Sequence, residues 1–166
     1  MAASNGFTAM DDRSSYSVSC VAIAGEGSNM ERDYDADTRV YQSDLRSSDE
    51  IGRTAGLRAA ERLKPRRPAT GDDPVLYDER VSSGLVGHFL SAINGAAVAR
   101  GSSWLKNSLG KKVMPTTCKL VEDPHRLRSG VSRLFDAEGL PTKKREIVSY
   151  GVLNGWTLDL SSARKL

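Results

Sequence analysis

The chain is poor in the residues that announce several kinds of chemistry. Its 166 residues include two histidines, two cysteines and 6% aromatics. Cys20 and Cys118 stand alone and far apart in the sequence. They form neither a CxxC pair nor a zinc ligand set, so free thiols in a reducing cytoplasm are expected. No apolar run approaches the roughly 20 residues that cross a bilayer. The first twelve residues lack the basic-then-apolar order of a signal peptide. No membrane partner is expected. The motifs GxSxG, GxGxxG and GxxxxGK[ST] are all missing. With so few rings, the core must be built from Val, Leu, Ile and Ala.

Charge is present but uneven. Residues 1–63 carry 7 Lys/Arg and 11 Asp/Glu, whereas residues 64–166 carry 17 and 10. A basic second half is one mark of nucleic-acid binding. Here the basic residues are scattered among acids with few aromatics beside them, which disfavours direct nucleic-acid contact.

The pattern along the chain predicts an α+β fold, with antiparallel β-hairpins at both ends and two to three helices between them. Ser14 to Ala24 reads as a strand entering a buried region, with Val21 and Ile23 on one face. Gly25 to Ser28 is a turn, and Asn29 to Tyr34 is the return strand. Ser47 and Glu50 have capping-box spacing, which starts a helix with Ile51, Ala55 and Ala59 on one face. Lys64-Pro65 ends it. Residues 64–71 are too short for a domain linker and read as a connector within one segment.

Pro74 to Tyr77 reads as a short buried strand. Asp78 then caps one long helix over 79–100, with an apolar face through Leu85, Phe89 and Ile93. Gly84, Gly87, Ser91 and Gly95 form a strip of small residues on it. Each helix-interior glycine costs about 1 kcal/mol, so the strip predicts close packing by another helix or a partner. A short helix over 102–108, a strand over 116–121 and a loop over 122–139 follow. A final hairpin, 144–150 and 152–160, turns at Gly151 rather than at Asn154-Gly155. The chain stops at Ser161 to Leu166 directly after an apolar stretch, an ending that looks cut rather than finished.

Candidate chemistry is sparse. His88 lies on the main helix, with Gly84 at i−4, Ser83 at i−5 and Ala92 at i+4. A helical zinc site needs a second histidine one turn away and a glutamate to activate water. Neither is on this helix, so a partly buried structural histidine is expected. His125 and the arginines Arg126, Arg128 and Arg133 belong to the 122–139 loop and could meet an anion, although a solvated loop is the better reading of them. Gly101-Ser102-Ser103 could do the same at a helix start, but ordinary capping is the better reading. Taken alone, these residues assemble no catalytic machinery.

Several blocks together resemble a known family. They are Ser14 to Val18 with Ala22 to Gly27, Met30 to Tyr34, Ile51 to Gly56, Gly87-His88-Phe89-Leu90 through Asn94 to Gly101, Leu109 to Lys111, Phe135 to Gly139 with Pro141-Thr142, and Ser162 to Leu166. In this order they resemble the PmbA/TldE branch of the TldD/PmbA proteins, also called modulators of DNA gyrase. Family members are much longer, so residues 1–166 are expected to form a central segment of such a protein.

The resemblance implies a cytoplasmic, heterodimeric zinc protease of flexible peptides, whose catalytic TldD branch carries an HExxxH helix. Laid on this chain, the first histidine falls at Ser83, the glutamate at Gly84 and the second histidine at His88. Only one of the three is retained. This implies a metal-free subunit with no catalytic residue and no cofactor of its own, and zinc only in a TldD-like partner. His88, Ser91, Gly95, Arg126 and Arg128 become candidate contacts for peptide substrate or partner. Self-association stays open. The competing reading is a regulatory module that touches DNA gyrase or nucleic acid directly.

Overall fold

The structure, a computed structural model, describes residues 1–166. Two compact units emerge, one formed by residues 9–72 and 126–132 and the other by residues 1–8, 73–125 and 133–166. The boundary between them falls at residues 72 and 73, so residues 64–71 lie within the first unit. The fold is α+β, with a hairpin near the N-terminus and a second antiparallel sheet near the C-terminus.

In the first unit, β1 (Tyr16–Ala24) pairs antiparallel with β2 (Glu31–Arg39) in an unbroken register from Tyr16 opposite Arg39 to Ala24 opposite Glu31. Helix α1 (Ser48–Glu61) packs on both strands. Ser47 caps it by accepting the Glu50 N–H at 3.2 Å. The Glu50 carboxylate turns instead to Arg46, at 3.3 Å, so the box is half used. Ile51, Ala55 and Ala59 recur every fourth residue and are wholly buried. Complete burial of the Ile51 side chain contributes about 2 kcal/mol.

Two expectations for this unit are corrected. Val21 and Ile23 are not buried: they lie on the outer face of the sheet, 65% and 67% exposed. β2 also runs five residues beyond Tyr34. Aspartate is a poor strand former, but Asp33, Asp35 and Asp37 share one face and are met by arginines, and that pairing overrides propensity.

In the second unit, α2 (Glu79–Ala92) and α3 (Gly95–Ala99) replace the single expected helix. The break has a local cause. The Asn94 side chain accepts the N–H groups of Ala96 and Ala97 at 3.1 and 3.3 Å, starting a new helix. Thr157 then bridges the gap, donating its N–H to Ile93 and accepting that of Gly95. Residues 102–108 form turns rather than a helix. Ser103, buried, bonds the Ala92 carbonyl and the Leu105 N–H, which draws Leu105 into the core.

The sheet of this unit has the order β3–β4–β5, with β3 (Leu120–Glu122), β4 (Arg145–Ser149) and β5 (Val152–Leu153). β3 and β5 are shorter than expected. The β4–β5 turn falls at Tyr150-Gly151 as expected. Both residues have positive φ, 49° and 78°, as a two-residue type I′ hairpin requires. A side chain at Gly151 would also put its Cβ 2.2 Å from the Met114 carbonyl oxygen. The Asn154 amide instead bonds back to the Glu146 carbonyl and Ser149. After β5 the chain forms a short helix, α4 (Leu160–Lys165), capped reciprocally by Asp159 and Ser162, where no helix was expected. Phe89, Ala92, Ile93, Leu105, Ile147, Val148 and Leu153 form the core. Pro74 to Tyr77 has no regular secondary structure, and Leu76 is 96% exposed, so no buried strand forms there.

Candidate functional site

Helix α2 positions the principal candidates. Asp78 accepts the Arg80 N–H at 2.9 Å, which fixes where the helix starts. Only its C-terminal end, through Phe89 and Ala92, enters the core. Ser83, Gly84, Gly87, His88 and Ser91 are all exposed. His88 is thus not the partly buried helix histidine expected from sequence. A Cβ at Gly84 or Gly87 would meet nothing within 4 Å, so that part of the small-residue strip is open. Gly95 differs. A Cβ there would lie 2.6 Å from both Leu158 Cδ2 and Ser162 Oγ, so the packing against α4 accounts for this glycine.

The donor set on α2 does not fit a metal ion. Positions 83, 84 and 88 supply one hydroxyl, no side chain and one imidazole, whereas a zinc site takes three or four N, O or S ligands. No carboxylate accompanies His88 to take a proton from water. No three His, Cys, Asp or Glu side chains are gathered to hold a metal anywhere in the structure. Cys20 and Cys118 are free thiols.

Beside α2 runs an open groove of about 410 Å³. Val86 and Leu90 form one wall, Leu120 and Val121 of β3 the other, and Ile147 also lines it. Arg145 stands at this groove, paired with Glu122 and bonded to the Trp156 carbonyl at 2.9 Å and to Thr157 Oγ1 at 3.0 Å. The groove offers apolar surface beside one fixed ion pair, a combination that suits a peptide side chain. Sequence reasoning missed it because its walls lie some thirty residues apart. The apolar Val86 and Leu90 were visible, but their exposure was not.

The basic loop is divided. Arg126 and Arg128 belong to the unit built on β1, β2 and α1, and Arg133 to the other. Arg128 pairs with Asp44 at 3.2 Å and stacks over the Tyr41 ring at 4.6 Å, so its charge is already engaged. The Arg126 side chain is exposed, and its backbone carbonyl accepts the Ser132 hydroxyl at 2.6 Å. His125 meets Thr142 Oγ1 at 3.0 Å. Near it, the Lys144 ammonium holds the Asp123 carboxyl below its ordinary pKa.

A charged cluster that sequence reasoning did not single out lies under α1. Asp33 and Asp35 are buried. Arg62 reaches Asp33 at 2.8 Å, and Arg58 reaches Asp35 at 2.9 Å. Arg46 stands 2.8 Å from the other Asp35 oxygen, off hydrogen-bond alignment. The Arg46 guanidinium, aided by Arg58, holds the Asp35 carboxyl below its ordinary value. The Arg46 backbone N–H, aided by the Arg39 side chain, does the same for Asp37. The signal was available: Asp at alternate positions of a strand faces Arg58 and Arg62, four apart on a helix.

The sequence profile of the PmbA/TldA metallopeptidase central domain matches residues 1–63, and that of the C-terminal domain of the same family matches residues 70–166. The chain belongs to the PmbA/TldA metallopeptidase family. It is 40% identical over 151 residues to the metalloprotease PmbA of Escherichia coli O157:H7, covering 91% of this chain and 34% of that protein. It is 36% identical over 153 residues to the metalloprotease PmbA homolog of Haemophilus influenzae, covering 92% and 34%. The chain thus spans about a third of the length of these relatives.

Among solved structures, a modulator of DNA gyrase from Bacteroides thetaiotaomicron matches with a TM-score of 0.88 and 32% identity, over 98% of this chain and 37% of that one. TldE from Thermococcus kodakarensis shares the fold, with a TM-score of 0.74 at 20% identity, over 98% and 37%. No helix of this PmbA/TldA-family chain is long and apolar enough to cross a membrane.

Proposed function

We propose that this PmbA/TldA-family chain is a central part of a noncatalytic subunit of the PmbA/TldE type, which works in the cytoplasm with a TldD-like catalytic partner on flexible peptides. Zinc and the water-activating base are then supplied by the partner, and this chain holds no cofactor. The observation that carries the reading is the exposed face of α2. Ser83, Gly84 and His88 occupy the HExxxH positions there with a single imidazole and no carboxylate. The name metalloprotease belongs to the relatives, and the donors on this chain do not assemble that centre.

The chemistry left to the subunit is binding. An extended peptide laid along α2 can place an apolar side chain between Val86, Leu90 and Ile147. Gly84 and Gly87 let its backbone approach the helix. His88 and Ser91 remain exposed as polar contacts. Each of these is weak, which suits flexible peptides of varied sequence.

Co-purification of the complete protein carrying this sequence with a TldD-like protein tests the proposal. The expected result is a complex whose peptide cleavage falls when Leu90→Asp puts a charge in place of the groove's apolar wall, with its zinc content unchanged. The absence of any complex, together with cleavage by the TldD-like protein that is indifferent to this chain, contradicts it.

A further inference from the structure

The segment Pro74–Tyr77 has the composition of a buried strand and the surroundings of none. Its sequence, Pro-Val-Leu-Tyr, favours extended backbone, and the chain forms neither helix nor turn here. Yet no hydrogen bond within the chain ties down the backbone of Val75, Leu76 or Tyr77. Their exposures are 74%, 96% and 50%. Successive strand residues point to opposite faces, so in a strand here Leu76 would present an apolar side chain on one face and Val75 and Tyr77 on the other. A half-buried edge strand would alternate apolar with polar. Apolar residues on both faces are the mark of a strand covered on both. Proline at the first position is compatible with that role.

The helix that follows is uncovered in the same way. Val81, Leu85 and Val86 of α2 are 57%, 50% and 42% exposed. The apolar surface therefore continues from residues 74–77 onto the first half of α2.

We infer that residues 74–77 form an inner strand of a larger sheet, whose neighbouring strands come from polypeptide of the same protein outside residues 1–166. The choice of occupant follows from the two faces. A short peptide, or the edge of a second copy, would satisfy one row of backbone groups and leave both apolar faces wet. Burying both faces needs a sheet with layers above and below it. Polypeptide of that size exists in the relatives, since about two thirds of the PmbA relatives' length lies outside the matched region. The inference rests on family membership and exposure, and not on whether the subunit lacks a metal.

Amide hydrogen exchange of Val75, Leu76 and Tyr77 tests it, measured in residues 1–166 and in the complete protein that carries them. The expected result is fast exchange in the 166-residue chain and exchange slowed by about a hundredfold or more in the complete protein. A second arm uses Leu76→Asp. It leaves the melting temperature of the 166-residue chain within about 2 °C of the parent, and it lowers that of the complete protein or abolishes its folding. Equally fast exchange in both chains overturns the inference. So does a reading frame that ends at Leu166, or protection in the 166-residue chain that rises with its concentration, which would assign the site to a second copy.

Discussion

Replacing Asp35 by Asn tests whether the charged cluster under α1 holds the first unit together. Asp35 is buried, 7% exposed, and faces Arg58 at 2.9 Å and Arg46 at 2.8 Å. Removing its charge leaves two guanidinium groups facing a neutral amide. A fully buried pair broken on one side costs about 3–5 kcal/mol, and an exposed pair about 0–1 kcal/mol. Arg58 and Arg46 keep 24% and 31% of their side-chain surface in water, so part of the loss is recovered by hydration. The expected cost is about 2 kcal/mol.

Both tryptophans, Trp104 and Trp156, lie in the other unit. Tryptophan fluorescence would therefore miss the effect. Hydrogen exchange of α1 amides in a urea series reads it directly. The pH dependence has a definite sign. The Asp35 carboxyl is held below its ordinary value of 3.8, so its contribution is complete above that pH and is lost as pH falls through the lowered value. Parent and variant should differ by a constant amount between about pH 5 and 8 and converge in stronger acid. A cost under about 0.5 kcal/mol at pH 7, or a difference that grows on acidification, would refute the reasoning.

Further outcomes follow from single positions. Gly151→Ala must adopt a positive φ and also drive its Cβ into the Met114 carbonyl, so thermal unfolding of the C-terminal sheet should show a loss of at least about 3 kcal/mol. Phe89→Ala removes the aromatic anchor of α2 from the core and should cost about 3–5 kcal/mol, read from tryptophan fluorescence in denaturant. His88→Ala, at an exposed position, should change stability by less than about 0.5 kcal/mol, and a clear drop in melting temperature would show that the imidazole is structural after all.

Much of the fold was legible because local signals and tertiary packing agreed. The Ser47 cap, the Ile51–Ala55–Ala59 face and the Gly151 turn each have a short-range cause, and each forms as the residues dictate. What stayed hidden depended on distant partners. Asp33 and Asp35 make a poor strand until Arg58 and Arg62 arrive from the helix. Asn94 divides α2 from α3 locally, but the bridge that closes the gap comes from Thr157, more than sixty residues later. Val21, Ile23 and Val75 to Tyr77 were expected in a core by composition and are exposed instead. For the candidate site, the depleted HExxxH positions were readable from sequence, but the exposure of His88, the closure over Gly95 and the engagement of Arg128 by Asp44 and Tyr41 were not.

The central claim is that this family member contributes binding surface and leaves the metal chemistry to its partner. Zinc content of the complete protein, purified alone and equilibrated with zinc, tests it most directly. The account predicts no stoichiometric zinc, and a trace content that His88→Ala does not alter. One zinc per chain, lost on His88→Ala and accompanied by chelator-sensitive peptide cleavage without any partner, would contradict it.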